Sequence, residues 1–182
     1  MIHFISPAYK TYPILVPSLL LQSCPGWTLH ICHDGPDDNF YKTMEGFGDP
    51  RIFAGTSPVK TGDWGHHIRA SLLRELEMND EDYVVVTNHD NYCLPHLVQN
   101  LVVNKEDMLI FNCLHSYYKY MELKSKIQFG SIDCASVAVK ARIAKKVGWK
   151  SNLEASDFLY IQECWQEAES YNFIPKTLFI HN

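Results

Sequence analysis

The chain reads as short apolar blocks separated by polar, Gly- and Pro-containing stretches, and the period of each block sets its predicted element. Ile2 to Ser6 predicts a first strand, broken by Pro7-Ala8-Tyr9-Lys10. Ile14 to Gln22 is apolar on one side, as a helix is, with Pro13 and Pro17 crowding its start. After the Pro25-Gly26 turn, Trp27 to Cys32 predicts a second strand and Arg51 to Ala54 a short third. The Gly-rich loop Thr61 to Gly65 leads into a helix over His66 to Met78. Tyr83 to Thr87 is apolar and β-branched, the pattern of a strand buried on both faces. A helix over Leu94 to Val103, with Pro95 in its first turn, and a strand over Met108 to Cys113 follow. From Ser116 to Lys126 the pattern blurs. Gln128 to Val139 predicts a strand pair or a bent strand, and Lys140 to Gly148 a short helix closed by its glycine. Ser156 to Ser170 predicts a helix with an early acid, and Leu178 to Ile180 a last strand.

Strands alternating with helices predict an α/β fold, with a mostly parallel central sheet flanked by helices. It forms a single domain over residues 1–182, with no linker, repeat or low-complexity tract. In such sheets ligands collect beyond the carboxyl ends of the strands. Three predicted strands end in polar clusters: Pro7 to Tyr9, Asp34 to Asp38, and Asn88-His89-Asp90. A doubly wound sheet brings those ends to one edge. Side chains two apart on an extended chain point the same way, so Asn88 and Asp90 are expected to share one ligand. The structural alternative is turn formation, for which Asn and Asp are well suited.

Composition narrows the partners. Hydrophobic residues make up 46% and charged residues 20%, ordinary for a soluble globular domain, and the formal net charge of -5 argues against a general nucleic-acid binder. Any phosphate must therefore be held by a local site. Aromatic residues, at 13%, leave rings to stack on a base or sugar. The six cysteines contain no C-x-x-C pair, so a zinc knuckle is not indicated and reduced thiols in a cytoplasmic protein are the simplest reading. The first residues lack the basic segment and apolar core of a signal peptide, and no run approaches the roughly 18 apolar residues of a membrane span.

Ile31-Cys32-His33-Asp34-Gly35-Pro36-Asp37-Asp38 is similar to the acidic turn after the second strand in family 2 glycosyltransferases of the GT-A fold. Val86-Thr87-Asn88-His89-Asp90-Asn91-Tyr92-Cys93-Leu94-Pro95 resembles their D-x-D stretch, with its following proline and helix. The order of motifs fits as well, and the resemblance covers nearly the whole chain. It implies a metal-dependent transferase with a nucleotide-sugar donor, UDP-glucose or UDP-galactose first among them, and a saccharide or other hydroxyl compound as acceptor. Position by position, it implies that Pro7 and Tyr9 border the base and that Asp34 hydrogen-bonds the base or ribose. Asp63, His66 and Arg69 would meet the nucleotide and sugar. Asp90 would take a divalent ion bridging the diphosphate, and Gly130 would lie beside the donor sugar. Asp157 would supply the catalytic base of an inverting transfer, and His181 would complete the metal shell. The chain departs from the pattern at Asn88, which replaces the first acid, and at Ser156, where the family usually has Glu. With Asn182 following His181 directly, no separate acceptor-binding domain is expected in this stretch.

The chemistry asks for such groups. A leaving diphosphate gains charge, which a metal ion or an Arg or Lys side chain neutralises best. Oxygen ligands suit Mg²⁺ or Mn²⁺, and an imidazole tilts the choice toward Mn²⁺, so Asp90 and His181, with Asn88 nearby, are the expected site, and His89 is expected to contact the nucleotide. The alternative for His181 is a tail residue. Asp157 sits at a helix start, whose dipole favours a carboxylate. Its alternative is a capping role, and Glu154 stands in reserve as base. Tyr9 and Trp64 can stack on the ligand or serve as core rings. Arg69 can pair with phosphate or lie on a solvated helix face. Asp37 and Asp38 read as solvated turn residues. A catalytically weak nucleotide-sugar binding module and a sugar nucleotidyltransferase share the layered plan and remain open. A metal phosphohydrolase using His66-His67, His89-Asp90 and Asp157 would need its ligands on helices.

Overall fold

β1 (Ile2–Ala8) is buried at every position because a parallel strand lies on either side of it, β2 (Trp27–His33) and β4 (Tyr83–Val86). This computed structural model describes residues 1–150, 153 and 155–182. β3 (Ile52–Thr56) adds to β2, also parallel. Beyond β4 the sheet becomes mixed. β8 (Val137–Lys140) runs antiparallel to β4 and to β6 (Met108–His115), and β9 (Tyr171–His181) runs parallel to β6. β5 (Tyr92–Cys93) pairs antiparallel with β9, and β7 (Met121–Leu123) with β6, giving nine strands in one sheet. The α/β class thus holds, with β3-β2-β1-β4 parallel throughout and β6–β9 a further parallel pair within the mixed part.

Among the described residues six α-helices cover the sheet: α1 (Leu15–Leu20), α2 (Asp38–Phe47), α3 (His66–Glu75), α4 (Leu97–Val102), α5 (Ala141–Val147) and α6 (Ser156–Glu167). α1, α2 and α4 close one face over Phe4, Trp27, Phe111 and Phe179. α3, α5 and α6 close the other over Ile5, Val84, Val86 and Ile110. Burying a side chain of this size contributes about 1.5–3 kcal/mol, so the two faces dominate stability. All six cysteines are free thiols.

The sequence reading does not predict α2, β5 or β7, and it differs from the structure elsewhere as well. β1 continues through Pro7 to Ala8, because β4 ends opposite Ile5 and the missing Pro7 N–H breaks no ladder bond on that side. Asp37 is no solvated turn residue: its carboxylate accepts from the Asn39 and Phe40 N–H groups, both at 2.9 Å, and caps α2. The stretch 128–139 is not a strand pair. It is a loop leading into a short 3₁₀ turn, Cys134–Ser136, and then β8. β9 is an 11-residue strand, because Pro175 and Lys176 bulge out between the Ile174–Phe111 and Thr177–Asn112 pairs without ending it.

Candidate active site

The carboxyl ends of β1 and β4 collect four chain segments. The Asp34 N–H donates to the Ala8 carbonyl at 2.9 Å, and the Leu15 N–H to the His89 carbonyl at 3.0 Å. Residues 88–91 form a turn, closed by the Asn91 N–H on the Asn88 carbonyl at 3.1 Å. Asn88 and Asp90 are therefore not on extended chain, and the expected common direction of their side chains does not apply. Instead the Asn88 Oδ1 accepts from the Arg69 guanidinium. The Asp90 carbonyl accepts from Asn182 Nδ2 at 2.7 Å, which ties this turn to the end of β9.

The loop before α3 is built by two carboxylates. Asp34, fully buried as a side chain, accepts from the Thr61 N–H at 2.9 Å and the Gly62 N–H at 2.8 Å. Its oxygens hold this loop, so a contact with a base or ribose would share them with these N–H groups. Asp63 accepts from the Gly65 and His67 N–H groups, each at 3.0 Å, and from the His67 ring at 2.8 Å. Gly62, Trp64 and Gly65 all take positive φ, at 65°, 55° and 77°. That strain turns Trp64 outward, 66% exposed, and leaves its carbonyl to accept from Arg69 at 2.7 Å.

Burial alone would raise the Asp63 pKa, but hydrogen bonds from the His67 ring, the His67 N–H and Thr61 bring it down to about 2. Its unfolded value is near 4, so the stabilisation is complete above that pH and is lost as pH falls through about 2. Asp63→Ala is expected to cost about 1–2 kcal/mol at neutral pH, after screening of this partly exposed group. The difference from wild type should shrink between about pH 4 and pH 2. Urea unfolding at pH 7 and in acid measures this, and a constant difference rejects the assignment.

Arg69 is buried rather than solvated, with its guanidinium 5.0 Å from the Trp149 ring centroid. Its Nε has no partner among the described residues. His66 is a core residue: Trp149 Nε1 donates to its Nδ1 at 3.0 Å and the rings stack at 5.9 Å. Its proton therefore sits on Nε2, which is buried and unpartnered among the described residues. His89 is likewise buried with both nitrogens unpartnered, and Tyr9 meets it edge-on at 5.6 Å. Burial lifts the Tyr9 hydroxyl pKa far above its ordinary value, Arg69 opposes this, and Asp34, Asp63 and Asp90 add to it.

The second half of the site comes from the far end of the chain. His181 lies beside His115, its cross-strand partner, with rings 4.0 Å apart. Burial lowers the His181 pKa, while Asp90 and Asp157 both oppose that shift. Asp157 also acts on Asp133 and Cys134, both deeply buried. Asp133, raised to about 6 by burial and then by Asp157, stands near both histidines. The exposed Gly130 carries φ 73°, and its carbonyl accepts from the Tyr118 hydroxyl at 3.0 Å. Phe129 packs on Phe158 at 5.7 Å, which sets this loop beside the start of α6. Glu154 lies outside the described residues.

His115 and Asp133 escape sequence reading. The predicted strand stops two residues before His115, and a lone Asp in the predicted strand pair 128–139 gives no signal; the β6–β9 register brings His115 to His181, and the turn before β8 brings Asp133. The donor types at this end, carboxylate, imidazole and amide, suit a divalent ion. His115, Asp133 and His181 form a compact group of three, and Asp90 acts on His181 from outside it.

Parallel β3-β2-β1-β4, the mixed extension and the polar cluster beyond the strand ends define the GT-A fold of nucleotide-diphospho-sugar transferases. The solved structures that resemble the chain include S. aureus TarS 1-349, with a TM-score of 0.80 at 15% identity over 100% of this chain and 60% of that one. The same TarS fragment in complex with UDP matches at 0.80, with 13% identity, over 98% of this chain and 59% of that one. GalNAc-T7 with UDP, GalNAc and Mn²⁺ matches at 0.69 with 9% identity, over 100% of this chain and 43% of that one. The chain thus spans about 60% of the length of the TarS fragment, and the likeness is one of fold. No protein-family model matches the sequence, and no curated protein matches it. Among the described residues, no helix is long and apolar enough to cross a membrane.

Proposed function

We propose that the chain is a glycosyltransferase that takes its sugar from a nucleotide donor, UDP-glucose or UDP-galactose being the first to try, and passes it with inversion to a hydroxyl acceptor. What supports this most is the Arg69–Asn88 pair beyond β4 together with the Asn182–Asp90 bond that ties the same turn to the end of β9, where the charges of Asp90 and Asp157 bear on His181. In this reading Pro7 and Tyr9 border the base. Arg69, bonded by a neutral amide where an acid would have neutralised it, keeps its charge for the diphosphate. Trp64 is free to cover the donor, and the unpartnered nitrogens of His66 and His89 offer hydrogen bonds to it. Asp157 takes the acceptor proton as the glycosidic bond breaks. A divalent cation, Mn²⁺ or Mg²⁺, held at Asp90 with His181 nearby, would neutralise the leaving diphosphate.

Thermal-shift measurements with UDP and UDP-sugars, with and without Mn²⁺, test the reading. Ligand at about 100 times Kd contributes roughly 2.7 kcal/mol, which for a chain this size is a rise of about 5–10 °C. Asp90→Ala should lose the Mn²⁺-dependent part of that rise. No shift with any uridine nucleotide, with or without Mn²⁺, rejects the proposal.

A sugar nucleotidyltransferase is the second reading. The likeness to 4-diphosphocytidyl-2C-methyl-D-erythritol synthase favours it, with a TM-score of 0.55 over 96% of this chain and 87% of that one. Pyrophosphate release from a nucleoside triphosphate and a sugar phosphate distinguishes it. Tight UDP binding with neither transfer nor hydrolysis would instead mark a binding module.

A further inference from the structure

His115 and His181 end two parallel, neighbouring strands and pair directly across them. Their rings lie face to face, 4.0 Å apart and 9° from parallel, and both Nε2 atoms face Asp133 Oδ2, at 3.9 and 3.7 Å. Asp133 caps the Cys134–Ser136 turn, where its Oδ1 accepts from the Ala135 N–H at 2.8 Å, so Oδ2 is the oxygen left for the imidazoles. All three residues are buried. Their separations are too long for hydrogen bonds. Three metal-competent atoms thus face one another, all within 4.8 Å of each other, without a direct bond among them. Ligand atoms about 2.1 Å from one tetrahedral ion lie about 3.4 Å from each other, close to both separations seen here.

We propose that His115 Nε2, His181 Nε2 and Asp133 Oδ2 hold a late first-row divalent cation, such as Zn²⁺ or Co²⁺, at a site that does not use Asp90 and that takes His181 away from the cation proposed there. Two imidazoles with one carboxylate prefer such ions over Mg²⁺ and Ca²⁺. Ser116 Oγ lies 3.0 Å from His181 Nδ1; by accepting that N–H it keeps the Nε2 lone pair free for metal. His115 is held more weakly. The Tyr117 N–H donates to its Nδ1 at 3.3 Å, so ligation moves the ring proton from Nε2 to Nδ1 and gives up that bond. Three protein ligands leave a coordination position for water or a hydroxyl group. The site does not depend on the transferase reading, since the metal alone tests it.

Metal-free protein is titrated with Co²⁺, read by its visible absorption, and with Zn²⁺ by calorimetry, without nucleotide. Wild type should bind one equivalent of either ion at this site. His115→Gln and Asp133→Asn, each first shown by circular dichroism to be folded, should lose at least the roughly 100-fold in affinity that even loss of a ligand's hydrogen-bond partner can cost. Asp90→Asn should bind as wild type does. The site is overturned if wild type binds neither ion or if His115→Gln binds undiminished. It is also overturned if Asp90→Asn loses as much affinity as the other two, because His181 then ligates with Asp90. None of these failures touches the UDP-binding test of the transferase.

Discussion

Asp157→Asn is expected to lower turnover by about 10²- to 10⁴-fold while leaving UDP affinity unchanged. Asp157 lies in the first turn of α6, partly exposed, on the helix whose start faces the buried Asp133–Cys134 segment. Its N-cap position is Ala155, which makes no side-chain cap, so Asp157 is not spent as the N-cap of its helix. The amide keeps the shape and loses only the ability to take a proton. Removing a charge from a helix start costs about 0.3–1 kcal/mol, too little to unfold the protein and mimic a catalytic effect. Transfer from UDP-sugar and calorimetry with UDP separate chemistry from binding. Unaltered turnover removes Asp157 from the role of base.

Gly65→Ala should be the most damaging single methyl in the chain. Gly65 sits at φ 77°, and an added Cβ would lie 2.3 Å from Pro7 Cβ and 2.6 Å from the Tyr9 hydroxyl. The left-handed backbone costs a non-glycine residue about 1–2 kcal/mol and the overlap a further 1–3, so a loss of about 2–5 kcal/mol is expected. Gly62→Ala is the matched control. Its φ is 65°, but nothing lies within 4 Å of the new atom, and only the backbone cost of about 1 kcal/mol remains. Urea unfolding of the two variants measures the difference. Equal losses would mean that the loop before α3 is not pressed against β1. Because Pro7 and Tyr9 border the proposed base site, Gly65→Ala should also weaken UDP binding more than Gly62→Ala does.

Legibility in the sequence followed the range of the forces involved. Tyr83 to Val86 could be read as a doubly buried strand because its apolar run is local and continuous, and β4 lies there. The helix after the Gly-rich loop was legible for the same reason. α2 was missed although its signals, Asp37 as cap and Gly48 at φ 60° as stop, stand in the sequence, because the residues between them are largely polar. Pro175 hid most of β9, since a proline normally ends a strand and only pairing with β6 shows that two residues bulge instead.

The apolar runs mark where β1, β2 and β4 end in polar residues, and the resemblance of the stretches 31–38 and 86–95 to family 2 glycosyltransferases implies the GT-A fold before any coordinate is known. Sequence could not decide which groups are spent on the scaffold and which remain free, because that depends on partners dozens of residues away. Tertiary packing commits Asp34 and Asp63 to the loop before α3, buries Arg69 beside Asn88, and turns His66 onto Trp149. The β6–β9 register alone sets His115 against His181. Hydrogen bonds of 2–3 Å reach are decided by three-dimensional neighbours, and a linear chain carries no record of them until the sheet has closed.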